Sequence, residues 1–180
     1  MLHLFRISLA LMFLFLTSFS VNGSGNINWY HIEKAQELNK EEPKKFLIDV
    51  YTDWCGWCKR MDNTTFSHPE IAQYINENFY PVKLNAESNQ PIEFAGKTYV
   101  NKGQGRRPTH QLAIALLQGK MSYPSIAYLN ENLQLLSAVP GFHNPADFEP
   151  IIKFFGEEAY KEQSWESFMN NFEGSIQASE

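Results

Sequence analysis

Cysteine is scarce in this chain: its 180 residues include two, Cys55 and Cys58. There is no third thiol toward a closed zinc site, which needs four ligands, usually brought as spaced pairs. His68, His110 and His143 show no paired spacing either, so a metal centre is not expected and the histidines read as surface or satisfied residues. No cysteine lies near the N-terminal segment, which argues against a bacterial lipoprotein. Positive charge is also short. Fifteen Lys and Arg face 20 Asp and Glu, a net charge of −5 that favours solubility and argues against a nucleic-acid partner. Long apolar sequence is missing too, because the run from Ile7 to Phe19 falls below the roughly 20 residues that span a bilayer comfortably. No internal repeat and no dividing linker is present.

What the chain does have begins with its head. Met1 to Arg6 carries one firm positive charge, Ile7 to Phe19 is almost wholly apolar, and small or turn-forming residues follow at Ser20, Asn22, Gly23 and Ser24. That three-part layout predicts a signal peptide over residues 1–23, removed on export to the periplasm or the exterior, rather than a retained anchor. A cut after Gly23 removes only Arg6 among the charged residues, so 14 positive and 20 negative charges leave −6. The remainder suits one domain with a real core and needs no disulfide staple. Residues 24–173 are assigned to that domain and residues 174–180 to a disordered tail.

Trp29, Ile32, Ala35 and Leu38 recur at a helical period. Phe46-Leu47-Ile48-Asp49-Val50-Tyr51, preceded by Lys44 and Lys45, reads as a central strand covered on both faces. His68-Pro69-Glu70 starts a helix with the apolar stripe Ile71, Tyr74, Ile75 and Phe79, and Tyr80 to Leu84 is the next strand. Ile92 to Val100 has the alternation and central turn of a small hairpin. Its Gly96-Lys97-Thr98 has the ending of a phosphate loop, but the glycine such a loop needs five residues earlier is Pro91, so nucleotide binding is set aside. Thr109 is expected to cap a helix through Leu112, Ile114, Leu116 and Leu117 that Gly119 ends. Ser125–Leu129 and Gln134–Val139, joined by Asn130-Glu131-Asn132, predict an antiparallel hairpin. Asn144-Pro145 opens a helix with Phe148, Ile151, Ile152, Phe155 and Ala159 on one face, which Pro150 is expected to kink or restart. A short amphipathic segment follows at Trp165, Phe168, Met169 and Phe172. The order β-α-β-α-β-β-α is a single α/β domain.

A structural disulfide in an exported chain normally closes a long loop. Cys55-Gly56-Trp57-Cys58 closes almost nothing, so its purpose is chemical. Cys55 stands where the central strand turns into a helix, facing unpaired backbone N–H groups and the positive end of the dipole, which lower a thiol's pKa. Cys58, one turn further in, is placed to attack a mixed disulfide formed at Cys55. Cys55 is therefore expected to be the exposed nucleophile and Cys58 the resolving thiol. Asp49 interrupts an apolar strand, where an unpaired carboxylate is costly. It either faces water at a strand end or is buried with a raised pKa, able to exchange a proton with the resolving thiol. Lys83 on the neighbouring strand is its candidate partner.

Leu47-Ile48-Asp49-Val50-Tyr51-Thr52-Asp53-Trp54-Cys55-Gly56-Trp57-Cys58-Lys59 resembles the active-site strand and turn of the thioredoxin superfamily, including the aspartate six residues before the first cysteine and the lysine after the second. Val82-Lys83-Leu84-Asn85 resembles the family's next strand, and Tyr123-Pro124-Ser125 its cis-proline segment. Gly141 falls where the family often has a glycine beside the site. The likeness covers roughly residues 29–160 and is nearest to exported bacterial thioredoxin-like proteins with a Trp-Cys-Gly-Trp-Cys-Lys motif. Trp57 departs from the proline that typical thioredoxins carry, and residues 87–107 form an insertion before the cis-proline strand.

The resemblance implies a thioredoxin fold, a central mixed sheet flanked by helices. It implies Cys55, Cys58, Asp49 and Lys83 as the catalytic set and Trp54, Gly56, Trp57, Tyr123, Pro124 and Gly141 as the client-facing set, with no cofactor. Trp29, Tyr51 and Phe66 read as packing residues. Lys102, Arg106 and Arg107 read as a solvated loop first and a docking surface second. The function implied is a monomeric dithiol–disulfide oxidoreductase that reduces client proteins, with a membrane thiol reductase as its electron donor. Its rivals are an oxidase or isomerase, and a binding module or metallochaperone on the same fold.

Overall fold

A computed structural model describes residues 25–103 and 105–177. The expected signal peptide, residues 1–23, lies outside the described residues. Among the described residues, no helix is long and apolar enough to cross a membrane.

The sheet is built around β1 (Lys45–Tyr51), whose five interior residues are all buried. β2 (Phe79–Asn85) runs parallel to β1 on one side; β5 (Ser125–Leu129) runs antiparallel to it on the other, and β6 (Leu135–Pro140) closes the order β2-β1-β5-β6. Helices cover both faces, so β1 can be apolar on both sides and still be satisfied. This is the mixed α/β sheet that the sequence leads one to expect.

Strand alternation sorts the core into two layers. Phe46, Ile48 and Val50 pack with Ile32 and Ala35 of α1 (Ile32–Glu41) and with Leu112, Ala113 and Leu116 of α4 (Gln111–Leu116). Leu47 packs on the opposite face with Met61 of α2 (Gly56–Thr64), with Ile71 and Ile75 of α3 (Pro69–Asn78), and with Phe148, Ile152 and Phe155 of α5 (Pro145–Gly156). Tyr128 and Phe155 stack there with ring centroids 4.1 Å apart. Asp49, two residues after Leu47, belongs to this second face, beneath α2.

Several local expectations are corrected. The first helix starts at Ile32, not Trp29, because Tyr30 is held extended beside β2 by its N–H to the Pro81 carbonyl at 2.9 Å. His110, not Thr109, caps α4: its buried ring accepts from the Leu112 N–H, and its own backbone pairs antiparallel with Asn101. α4 ends at Leu116, short of Gly119. α5 runs through Pro150 without a break; the missing N–H frees only the Ala146 carbonyl in the first turn. Residues 174–177, assigned above to a disordered tail, lie against α5 instead. The buried Glu149 carboxylate holds them, accepting from the backbone N–H groups of Ser175 and Ile176 at 3.0 Å each. Residues 178–180 lie outside the described residues.

The 87–107 insertion contains the expected hairpin, β3 (Ile92–Phe94) and β4 (Lys97–Tyr99), turning at Ala95-Gly96 with positive φ at both positions. The Gln36 side chain of α1 pins it through bonds to the Glu93 carbonyl and the Ala95 N–H. The rest of the insertion runs back toward the end of β1.

Candidate active site

β1 ends at Tyr51, and the turn through Trp54 delivers Cys55 as the N-cap of α2. A cap residue normally offers a side-chain oxygen to an unpaired helix N–H. Here the Cys55 Sγ takes that place, accepting from the Cys58 N–H at 3.0 Å. The same bond would stabilise a Cys55 thiolate, together with the dipole of α2. Cys55 and Cys58 are joined in a disulfide. Contrary to expectation, exposure does not separate them, since both are buried, Cys55 at 4% and Cys58 at 3%. Their inequality is electrostatic: Cys55 is the cap, and Cys58 lies inside the first turn.

The polar floor is a three-residue network. Asp49 and Lys83 are register partners of β1 and β2, and Lys83 Nζ lies 2.6 Å from Asp49 Oδ2. Lys83 also bonds Asp62 Oδ1 on α2. Asp62 is four residues after Cys58 and therefore on the same stripe of the helix. Rings of Trp29, Tyr51 and Phe66 surround the ammonium at 4.8–5.3 Å, so these packing residues also serve as a cation-π enclosure. Asp49 is 1% exposed, and its Oδ1 has no hydrogen-bond partner among the described residues. Burial raises its pKa to about 6; Lys83 pulls against that rise, and the Asp62 charge adds to it. The Lys83 ammonium is pushed down by burial, but the two carboxylates outweigh this and its pKa is raised.

The rim carries the other predicted residues. The Tyr123–Pro124 peptide is cis, the isomer that the resemblance implies, and the Pro124 carbonyl accepts from the Gly141 N–H at 2.8 Å. Gly141 has φ +96°, a conformation that side chains strain to adopt. Gly56, the first residue of α2, has open space where a Cβ would sit. Trp54 and Trp57 stand half-exposed, at 49% and 55%. Trp54 meets Tyr123 edge to face and donates its Nε1–H to Glu87 Oε1 at 3.0 Å, while Trp57 packs on Phe142.

Sequence reasoning missed Asp62 and Glu87. Asp62 was signalled by its i+4 spacing from Cys58. Arg107, read in sequence as part of a solvated basic loop first and a docking surface second, is returned by the insertion to the rim, where its guanidinium lies 4.3 Å from the Trp54 ring. Arg107 of the basic loop is thus part of the site's edge.

Comparison with known proteins places this geometry in a family. The family model described as Thioredox_DsbH, protein of unknown function, DUF255, matches residues 17–144. Spermatogenesis-associated protein 20 of Rattus norvegicus is 29% identical over 75 residues, 41% of this chain and 10% of that protein. Thiol:disulfide interchange protein DsbD of Tatumella citrea is 32% identical over 66 residues, 37% of this chain and 11% of that protein. The chain thus spans about a tenth of the length of these curated relatives. A solved thioredoxin-fold protein from Helicobacter pylori superposes with a TM-score of 0.55 at 18% identity, over 71% of this chain and 79% of that one. That likeness shows the thioredoxin fold.

Proposed function

The chain belongs to the thioredoxin-like family described as Thioredox_DsbH, DUF255, and from that premise we propose that it is an exported oxidoreductase that reduces disulfides in client proteins. The observation that carries the reading is the Cys55–Cys58 disulfide at the N-terminus of α2, with Cys55 Sγ in the cap position. The name of the Tatumella citrea relative, a thiol:disulfide interchange protein, supports the reaction class. The apolar head at residues 7–19 supports export.

In the reduced protein, the Cys55 thiolate attacks one sulfur of a client disulfide. A Cys55–client bond forms and the other client sulfur leaves as a thiolate. Cys58 loses its proton to Asp49, which at about 6 is mostly ionised at neutral pH. The Cys58 thiolate then attacks Cys55 Sγ, re-forming the Cys55–Cys58 disulfide and releasing the second client thiolate. Two electrons pass to the client, and a membrane thiol reductase returns them to the protein. Lys83 holds Asp49 and disperses its charge. Trp54, Gly56, Trp57, Tyr123, Pro124 and Gly141 form the client-facing rim, and the working unit is a monomer.

Reduction of insulin by dithiothreitol, followed as turbidity, tests the proposal. The protein should accelerate it and Cys55→Ser should not. Equal rates with and without the protein would leave a binding module on this fold.

A further inference from the structure

The rim holds two guanidiniums lying over the rings of Trp54 and Trp57, the tryptophans beside the cysteines. Arg107, from the insertion, lies 4.3 Å from the ring of Trp54, which immediately precedes Cys55. Arg60, from α2, lies 5.2 Å from the ring of Trp57, between the cysteines, and 5.1 Å from Phe142, which follows Gly141. Both arginines are exposed, and among the described residues neither forms an ion pair or a side-chain hydrogen bond. A guanidinium held over an aromatic ring without an ion pair or hydrogen-bond acceptor has N–H donors free for bidentate contact with a carboxylate. Lys59 and Arg106, their neighbours in the chain, are exposed as well. Two acids lie there as well, but each has an oxygen engaged: Asp53 accepts from Asn85 at 3.1 Å and Glu87 from Trp54. In a chain of net charge −5, two guanidiniums with free donors thus sit over the tryptophans beside the cysteines.

We infer that Arg60 and Arg107 select clients whose reactive cysteine is flanked by carboxylates, an acidic segment docking across Trp54 and Trp57 with its side chains on the two guanidiniums. This rests on the reading of Cys55 and Cys58 as the exchanging pair, and names the class of client segment they serve. The two arginines come from separate elements, so one segment must span both. Selection then depends on the insertion as well as on α2.

The test uses reduced protein and three synthetic disulfide-linked peptides that differ only in having Glu, Gln or Lys on each side of the cysteine. Second-order rates are followed by tryptophan fluorescence. Each is divided by the rate of 2-mercaptoethanol with the same peptide, which removes the effect of the flanking charge on the leaving thiol. The normalised Glu rate should exceed the Lys rate by on the order of tenfold at low salt, the size of two exposed charge contacts. The preference should shrink at about 0.5 M salt, where screening is strong, and in the Arg60→Gln, Arg107→Gln double variant. The salt series needs only the wild-type protein, so it stands even if the variant folds poorly. Equal normalised rates for the three peptides would overturn the inference while leaving the exchange reaction in place. So would a Glu preference of unchanged size at high salt or in the double variant. If even the Gln peptide is not reduced, the exchange reading itself fails.

Discussion

Asp49→Asn gives the sharpest test of the site's electrostatics, because its effect on stability has a sign fixed by burial. The folded-state pKa of Asp49 is raised from 3.8 to about 6. A raised pKa means that the folded protein holds the proton more tightly than the unfolded chain. The resulting stability is fully present below about pH 4 and is lost as pH climbs through 6. The shift of about 2 units, at roughly 1.4 kcal/mol per unit, makes the loss about 3 kcal/mol. No exposure discount applies, since Asp49 is 1% exposed. Asparagine does not titrate, so the variant keeps what the wild type loses. Groups that titrate in both proteins cancel in the difference, and any fixed cost of seating the amide beside Lys83 only offsets the curve. Thermal unfolding of the oxidised proteins from pH 4 to pH 8 should show the variant gaining on the wild type. The gain should build between about pH 4 and pH 6, level off above that, and reach about 6–12 °C in Tm for a domain of this size. A difference that stays flat from pH 4 to pH 8 would refute the buried, raised-pKa assignment of Asp49.

Other consequences can be measured separately. Asp49→Asn should also lower kcat near neutral pH more than it raises KM for a peptide disulfide, because proton removal from Cys58 is slowed while the rim is intact. Asp62→Asn removes a charge that raises the Asp49 pKa, so the pH at which the stability loss levels off should move below the wild-type value of about 6; a levelling-off at or above the wild-type value would break the proposed coupling between the two carboxylates. In reduced protein, Cys55 should be alkylated faster than Cys58, and Cys58→Ser should trap mixed disulfides that Cys55→Ser does not. Equal labelling together with equal trapping would reverse neither role but abolish both. Equilibration with glutathione, read by the fluorescence of Trp54 and Trp57, should give a potential on the order of −200 to −270 mV. A value near roughly −120 mV, in the range of strong oxidants, would replace the reductase with an oxidase.

Much of this protein is legible in the order of its residues, for local reasons. A short apolar run flanked by charges reads as a strand covered on both faces, and β1 is that strand, its five interior residues buried. Two cysteines within one helical turn, placed where a strand ends, define a site before any packing is known. Asn144-Pro145 opens α5 as expected, with the Asn144 side chain accepting from the Asp147 N–H, because a cap is a contact between near neighbours. The local signals fail where a distant partner decides. Trp29 keeps the helical period but stays outside α1, since the adjacent backbone pairs with β2. Residues 174–177 have the composition of a tail and are held by a carboxylate on α5.

The site divides along the same line. Sequence by itself marked the cysteine pair and its place at a strand end, and through the family resemblance it pointed to the carboxylate six residues earlier and the lysine on the next strand, because motif spacing is a property of the chain. Only the tertiary structure decided that Lys83 bridges Asp49 to Asp62 inside an enclosure of three rings, since these residues come from separate elements. It also brought Arg107 back across about fifty residues onto Trp54. No periodicity encodes that contact: it exists because the insertion's hairpin is pinned to α1, and the returning chain must pass the rim of the disulfide to reach α4.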